Sequence, residues 1–353
     1  MHFCSDSNVG GAGIALYRLL SNSDKSTFEH YVVLPYGSAL IDLFSKCDVH
    51  IVKYNSSSDC SASFSLTSEL RKIIFRISPH IVHTHGLASA RLAAFLCGVK
   101  SRIYTRHTYN ETVTGFLSKV LNRTVTTKAI AVNEALAEQI KESGIKGKDV
   151  VLIENGCECF KREACEKNKT FTLLYHGRIE KSKGLPLAIE AVSKLVCRGY
   201  SLRLLIVGEG SCKYELIALA EKLNVSQHII FVGYTDDVSK YISISDAALN
   251  CSYEAEGTSN SVIECMSAAM PVIISSVKGN AAVVSDGVDG LIFDCGKVDS
   301  LALCIERLVC DSELYSKISV GAYKTYLARF TVEKMTQRYE RLWKDEYKNH
   351  YEK

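Results

Sequence analysis

Short runs of β-branched and aliphatic residues alternate with amphipathic segments along most of this chain, and that alternation constrains its fold more than any other feature. The runs are His80–Gly86, Arg102–Thr108, Ala129–Asn133, Val150–Gly156, Thr172–Gly177, Arg203–Gly210, Ile229–Tyr234, Ala247–Ser252, Pro271–Ser276 and Gly290–Asp294. Between them lie segments with helical periodicity, among them Leu185–Cys197, Lys213–Leu223 and Ser261–Met270. Alternation of this kind predicts parallel sheets with helices on both faces. Near-continuous apolar runs such as Leu204–Val207 agree, because strands of a parallel sheet are buried on both sides. The fold class is α/β.

At 353 residues the chain is long for one core and fits two domains. The break falls after the turn dipeptide Asn155-Gly156, since residues 157–171 are polar, charged and strandless. The expected units are 1–156, 157–330 and a helical tail, 331–353, of one or two helices. Met335, Tyr339 and Trp343 in that tail repeat every four residues and mark one buried face.

Composition then excludes several classes. With 47% apolar and 23% charged residues and only 4 prolines, the chain is neither disordered nor collagen-like. A formal charge of +3 is far from the basic footprint of a nucleic-acid binder. No apolar stretch is long enough to cross a bilayer, and the first residues lack the pattern of a secretion signal. The 14 cysteines show no paired spacing and read as reduced thiols of a cytoplasmic protein. Lys100, Arg102, Arg106, Lys119, Arg123 and Lys128 face only Glu111 between residues 97 and 128. Both a solvated face and a surface for anionic lipid fit that cluster. The segment Thr112–Val125 adds Val113, Phe116, Leu117, Val120 and Leu121 within one broad helical face.

Ligands of open α/β sheets bind beyond the carboxyl ends of the strands. Four such places stand out. Gly10-Gly11, within Asn8-Val-Gly-Gly-Ala-Gly13, follows a short first strand, where glycine lets backbone approach a phosphate or simply makes a tight turn. His83 and His85 share a strand face, with Arg106-His107-Thr108 at the next strand end. The two histidines suggest a polar pocket, packed histidines or a metal site, although no further ligand stands at a recognisable spacing. Arg178 and Lys183, five apart in a loop, can converge on one polyanion or stand as solvated cations. Finally, Glu256-Gly257-Thr258-Ser259-Asn260 leads into a helix carrying Glu264. That loop offers a carboxylate and several backbone donors together.

Taken jointly, these motifs resemble the retaining glycosyltransferases of family 4. The resemblance runs through Gly10-Gly11, Ile81-Val-His-Thr-His85-Gly86, Ala129-Ile-Ala-Val-Asn133, Val151-Leu-Ile-Glu-Asn155-Gly156, Gly177-Arg178 with Lys183-Gly184, Leu204-Leu-Ile-Val-Gly208-Glu-Gly210, Phe231-Val-Gly233 and Glu256 through Glu264. It implies the GT-B fold, two facing Rossmann-like, doubly wound parallel-sheet domains with an interdomain cleft. It further implies a nucleotide-diphosphate sugar as donor, a UDP-sugar in preference to a GDP-sugar, and a lipid-linked or oligosaccharide acceptor of lipopolysaccharide, O-antigen or capsule biosynthesis.

By the same resemblance, Arg178 and Lys183 grip the donor diphosphate, Glu264 the ribose hydroxyls and Glu256 the transferred sugar. Gly257, Thr258, Ser259, Asn260, Gly10 and Gly11 line the donor site with backbone donors, and His107 lies beside the reacting sugar. Cations and helix dipoles then stabilise the leaving diphosphate without metal or other cofactor, in keeping with a sequence that lacks an Asp-x-Asp triplet. The expected place of work is the cytoplasm, peripheral at the inner face of the membrane. Three departures stand against the family pattern: a short first strand that suggests a truncated start, Ala282 where relatives carry an acid, and Arg106 before His107. A GT-B nucleotide-sugar epimerase and a non-catalytic sugar-nucleotide-binding protein remain alternative readings.

Overall fold

The computed structural model describes residues 1–5, 8–55, 63–109, 115–161 and 170–352. Val113, and the middle of the expected linker at residues 162–169, lie outside them. Contacts divide the chain into two units, Met1–Gly156 with Val332–Lys353, and Cys157–Thr331.

The first unit holds β1 (His2–Cys4), β2 (Tyr31–Pro35), β3 (His50–Tyr54), β4 (Ile81–His85), β5 (Ser101–Arg106), β6 (Lys128–Ala131) and β7 (Val150–Leu152) in the order β3-β2-β1-β4-β5-β6-β7. All these pairings are parallel, and His2 of β1 lies in register with His83 of β4. β2 and β3 were not among the expected runs. The second unit holds β8 (Phe171–His176), β9 (Leu202–Val207), β10 (Ile229–Gly233), β11 (Ala247–Asn250), β12 (Val272–Ser275) and β13 (Leu291–Phe293), ordered β10-β9-β8-β11-β12-β13, again all parallel. Each order reads outward both ways from its first strand, which is the doubly wound Rossmann arrangement.

Apolar clusters cover both faces of each sheet. In the second unit one face packs Leu173, Leu204 and Ile206 against Leu185, Ile189 and Val192. The other packs Leu174, Val272 and Ile274 against Val262, Ile263 and Met266. The helix Leu185–Cys197 opens behind Gly184 in the left-handed conformation, with Pro186 in its first turn, where a missing N–H costs nothing. It closes on Gly199, φ 90°, whose N–H donates to Val196 O while Tyr200 N–H donates to Leu195 O.

The C-terminal tail is a single helix, Val332–Tyr351. Its Met335, Tyr339 and Trp343 are buried in the core of the first unit together with Leu16, Leu19 and Ile103. Cys157 and Thr331 form an isolated parallel bridge where the second unit begins and ends. No helix among the described residues is long and apolar enough to cross a membrane, and no cysteine among them is in a disulfide.

Candidate functional site

In the second unit the chemistry gathers at the carboxyl ends of β8, β9, β11 and β12. Here backbone segments approach closely. A Cβ on Gly184 would lie 2.0 Å from Cys251 O, and one on Gly208, φ 141°, would lie 1.9 Å from Gly177 O. Those approaches bring the loop after β8 against the loop after β11, where Tyr253 N–H donates to Ser182 O at 2.8 Å. Lys183 is thereby set beside Glu256, and its Nζ donates to Glu256 Oε1.

Glu256 is held from several sides. Ser252 Oγ donates to Oε1 and Asn250 Nδ2 to Oε2, the latter at 3.3 Å. Asn250 in turn accepts from Asn280 Nδ2 at 3.2 Å, and Asn280 reaches Ser275 Oγ at the same distance. Charge-assisted bonds of this kind, shielded from water, fix a carboxylate before any ligand arrives. Asn250, Ser252, Ser275 and Asn280 were given no role in the sequence; Asn250 and Ser252 stand at the end of one strand and meet Ser275 and Asn280 only in the fold.

Arg178 is exposed, in the loop after β8. Its backbone is pinned by Tyr175, whose hydroxyl donates to Arg178 O at 2.5 Å. Burial first, and the Glu256 carboxylate next, raise the Tyr175 phenol above its ordinary range, so it remains a donor. Gly257 and Thr258 are buried, and Ser259 stands at the N-cap position of the helix Asn260–Ser267 without a side-chain cap; the helix has no acidic residue in its first turn. Glu264 on this helix is buried, with Oε2 3.6 Å from His176 Nδ1. The other nitrogen of His176 lies 3.2 Å from Ser261 O and 3.5 Å from Cys265 Sγ.

In the first unit, Gly10 caps the helix Gly11–Asn22 in extended conformation, without a side-chain cap. Gly13 there serves packing, since a Cβ would sit 2.5 Å from Leu40 Cδ2. The histidines form a buried array. His83 and His85 are stacked with centroids 4.5 Å apart and planes at 29°, His2 lies 5.3 Å from His83, and His85 stacks on His107 at 5.2 Å and 22°. Tyr339 and Trp343 pack against His83. Burial lowers His107 to about 4, and His2, His83 and His85 well below their ordinary range, so all four imidazoles are neutral.

One nitrogen from each of His2, His83 and His85 lies within 4.8 Å of the others, with His2 the third imidazole that sequence spacing did not reveal. The rings of His83 and His85 are stacked, and His2 Nδ1, His83 Nδ1 and His85 Nε2 have no hydrogen-bond partner among the described residues.

The basic cluster is largely spent inside the unit. Arg106 is buried, its Nε donating to Thr108 O at 3.3 Å. Arg102 caps Val125 O at 2.9 Å, Lys128 pairs with Asp149 at 3.0 Å, and Lys100 donates to His350 O at 3.1 Å. Of the six cations Lys100, Lys119 and Arg123 are exposed, the last two on the helix Phe116–Val125. That helix buries only Val125 and leaves Phe116 80% and Leu117 81% exposed, so among the described residues its apolar face is largely uncovered.

Two family models divide the chain between them: Glycosyltransferase Family 4 over residues 9–159 and Glycosyl transferases group 1 over residues 159–325. The chain belongs to glycosyltransferase family 4. Two Rossmann-like domains of this order give it the GT-B fold. This family 4 chain is 34% identical to the putative glycosyltransferase EpsD of Bacillus subtilis (strain 168) over 48% of its own length. It is 27% identical to the lipopolysaccharide core biosynthesis glycosyltransferase LpsE of Rhizobium meliloti (strain 1021) over 58%. The aligned parts span 45% and 60% of those relatives. Among solved structures, Anabaena Alr3699/HepE in complex with UDP has the same fold, with a TM-score of 0.84 and 17% identity over 98% of this chain and 99% of that one.

Proposed function

We propose that this family 4 chain transfers a sugar, with retention of configuration, from a nucleoside-diphosphate donor to a lipid-linked or oligosaccharide acceptor of lipopolysaccharide, O-antigen or capsule assembly. The observation that carries the reading is the Lys183–Glu256 pair, preorganised at the strand ends beside the N-terminus of the helix Asn260–Ser267, which has no acidic residue in its first turn. A cation and a helix N-terminus stabilise the negative charge that develops on a departing diphosphate. Arg178, exposed in the same loop, adds a planar fork for phosphate oxygens. Glu256, already aligned by Ser252 and Asn250, accepts from hydroxyls of the transferred sugar. Glu264 accepts from the ribose, and the backbone at Gly10, Gly11 and Gly257 to Asn260 supplies donors to phosphate and sugar. His107 lies beside the reacting sugar.

The charge of the leaving group is met by these residues, so the chemistry needs no divalent metal. The UDP complex of HepE supports UDP as the nucleotide, and LpsE supports a lipopolysaccharide acceptor. The exposed apolar face of Phe116–Val125 supports peripheral contact with the membrane that holds such an acceptor.

A screen of UDP- and GDP-sugars, with and without undecaprenyl-diphosphate saccharides and free oligosaccharides, tests the reading through release of nucleoside diphosphate. Acceptor-dependent release with an axial product from an axial donor is expected. Interconversion of donor sugars without acceptor would make the chain an epimerase, and donor binding without turnover would make it a binding protein.

A further inference from the structure

Glu264 shares its place in the fold with a residue that the reaction reading leaves unused. Its Oε2 lies 3.6 Å from His176 Nδ1, an ion-pair distance, and the two side chains are only 9% and 11% exposed. His176 ends β8, and Glu264 stands on the helix Asn260–Ser267 that packs beside it. A carboxylate so far withdrawn from water needs a counter-charge or donors to hold it.

The other ring nitrogen decides the proton count. His176 Nε2 lies 3.2 Å from Ser261 O. A carbonyl oxygen has no proton to give, so Nε2 is the donor there. A neutral ring carries one proton only, and with that proton on Nε2 the lone pair of Nδ1 would be turned on the Glu264 carboxylate. A neutral ring protonated at Nδ1 instead would set its Nε2 lone pair against Ser261 O, opposed only by the weak S–H donor of Cys265 at 3.5 Å. The imidazolium alone offers an N–H to both oxygens.

Glu264 and Cys265 are the titratable groups of that helix that face the ring, and burial pushes the Cys265 thiol well above its ordinary range, so it stays neutral. On the neighbouring strands the ring has Val207 of β9, in register with it, and Leu249 and Asn250 of β11, which line a small cavity with it; none of these titrates. Among the described residues, Glu264 is therefore the charge that this ring answers.

We propose that His176 is a positioning residue for Glu264: as the imidazolium it holds the carboxylate through Nδ1–H in the orientation that meets the ribose, and so sets the affinity for the nucleotide. The proposal rests on the reading that Glu264 accepts from the ribose. The hold exists only while the ring carries both protons, so UDP affinity falls as pH rises through the titration of His176.

The test uses the full chain and free UDP, with binding read by calorimetry from pH 7 to 9.5 and the His176 ring followed by nitrogen–proton NMR. Both ring nitrogens should carry protons at pH 7, and affinity should fall as one is lost. His176→Phe keeps a flat ring without a donor and should bind UDP about tenfold more weakly at pH 7, the scale of one hydrogen bond to a charged group. His176→Gln keeps a donor that does not titrate, so it should recover most of the affinity and lack the pH-linked loss. A change common to wild type and His176→Gln belongs to other groups, since the outer phosphate of UDP has lost its last proton near about pH 6.

A neutral His176 at pH 7, a UDP affinity that does not follow the titration of the ring, or wild-type affinity in His176→Phe would each overturn the proposal. The NMR and pH measurements are made on the wild-type chain, so they decide even where His176→Phe does not fold. Unchanged UDP affinity in Glu264→Gln would instead overturn the placement of Glu264 at the ribose.

Discussion

Lys183 and Glu256, 73 residues apart in sequence, form an ion pair at the ends of two neighbouring strands, both largely withdrawn from solvent. The cation expected to meet the leaving diphosphate and the carboxylate expected to meet the sugar are thus one unit. Replacing Lys183 by Ala removes the charge from the phosphate and also leaves Glu256 without its counter-ion. Loss of one preorganised electrostatic contact costs about 10²–10³ in kcat, and that is the expected effect of Lys183→Ala and of Arg178→Ala. Steady-state kinetics on folded variants checks it, and wild-type rates in either variant would remove that residue from the site.

Chelation gives a second expectation. Turnover should persist in excess EDTA and should not rise on adding Mg²⁺ or Mn²⁺, because side-chain cations and helix amides carry the diphosphate charge. Recovery by either ion after chelation would transfer that role to a metal.

The two glutamates should separate. Glu264→Gln should weaken binding of free UDP, read by calorimetry, since its proposed partner is the ribose. Glu256→Gln should leave UDP affinity nearly unchanged and depress turnover. The reverse pattern would exchange their roles.

The helix Phe116–Val125 should bind vesicles containing anionic lipid, and binding should weaken as salt rises and shortens the Debye length below about 10 Å. Lys119→Glu with Arg123→Glu should reduce co-sedimentation. Each cation near an anionic surface contributes about 1 kcal/mol, so the two together make a modest, reversible attachment that the exposed Phe116 and Leu117 reinforce. Equal binding to neutral vesicles would leave only the apolar contribution, and no binding to either would remove the membrane contact.

Thiol reactivity follows burial. Cys251 is pushed up to about 12 and Cys265 well above its ordinary range by burial, whereas Cys159, Cys197 and Cys310 are exposed. At pH 8, among the cysteines of the described residues, iodoacetamide should modify Cys159, Cys197 and Cys310 first and reach Cys251 and Cys265 only on unfolding. Peptide mapping over time reads the order.

The strands that sequence revealed share a property that one of the two missed ones, β3, lacks. β8, β9 and β12 are nearly continuous apolar runs with few exposed positions. β3 is an edge strand, His50-Ile-Val-Lys-Tyr, in which only Tyr54 is buried, so it lacks the two-sided apolar signature; β2, Tyr31-Val-Val-Leu-Pro35, carries that signature, with Val32 and Leu34 packed on one face and Val33 on the other, and is a short run that ends in proline. Expected strands also ran past their true ends, as at Arg203–Gly210 against Leu202–Val207, because Gly208 and Gly210 leave the ladder to make close approaches that pairing patterns do not encode. For the site, Arg178, Lys183, Glu256 and Glu264 stood out through local loop chemistry. Their supports did not, because Asn250, Ser275 and Asn280 meet through the parallel register of β11 and β12. His2 joined His83 in the same way, by strand pairing and not by spacing.

The return of the C-terminal helix to the first unit makes the second unit an insertion into the first. Its two ends are side by side, with Cys157 N–H donating to Phe330 O at 2.9 Å and Tyr326 Oη donating to Cys157 O at 3.0 Å. A segment that leaves and re-enters its host at one point can be exchanged as a cassette with little cost in loop closure. The host, by contrast, cannot be cut at Gly156, because Met335, Tyr339 and Trp343 would be lost from its interior. For this chain the natural unit of recombination is therefore the middle of the sequence and not either half.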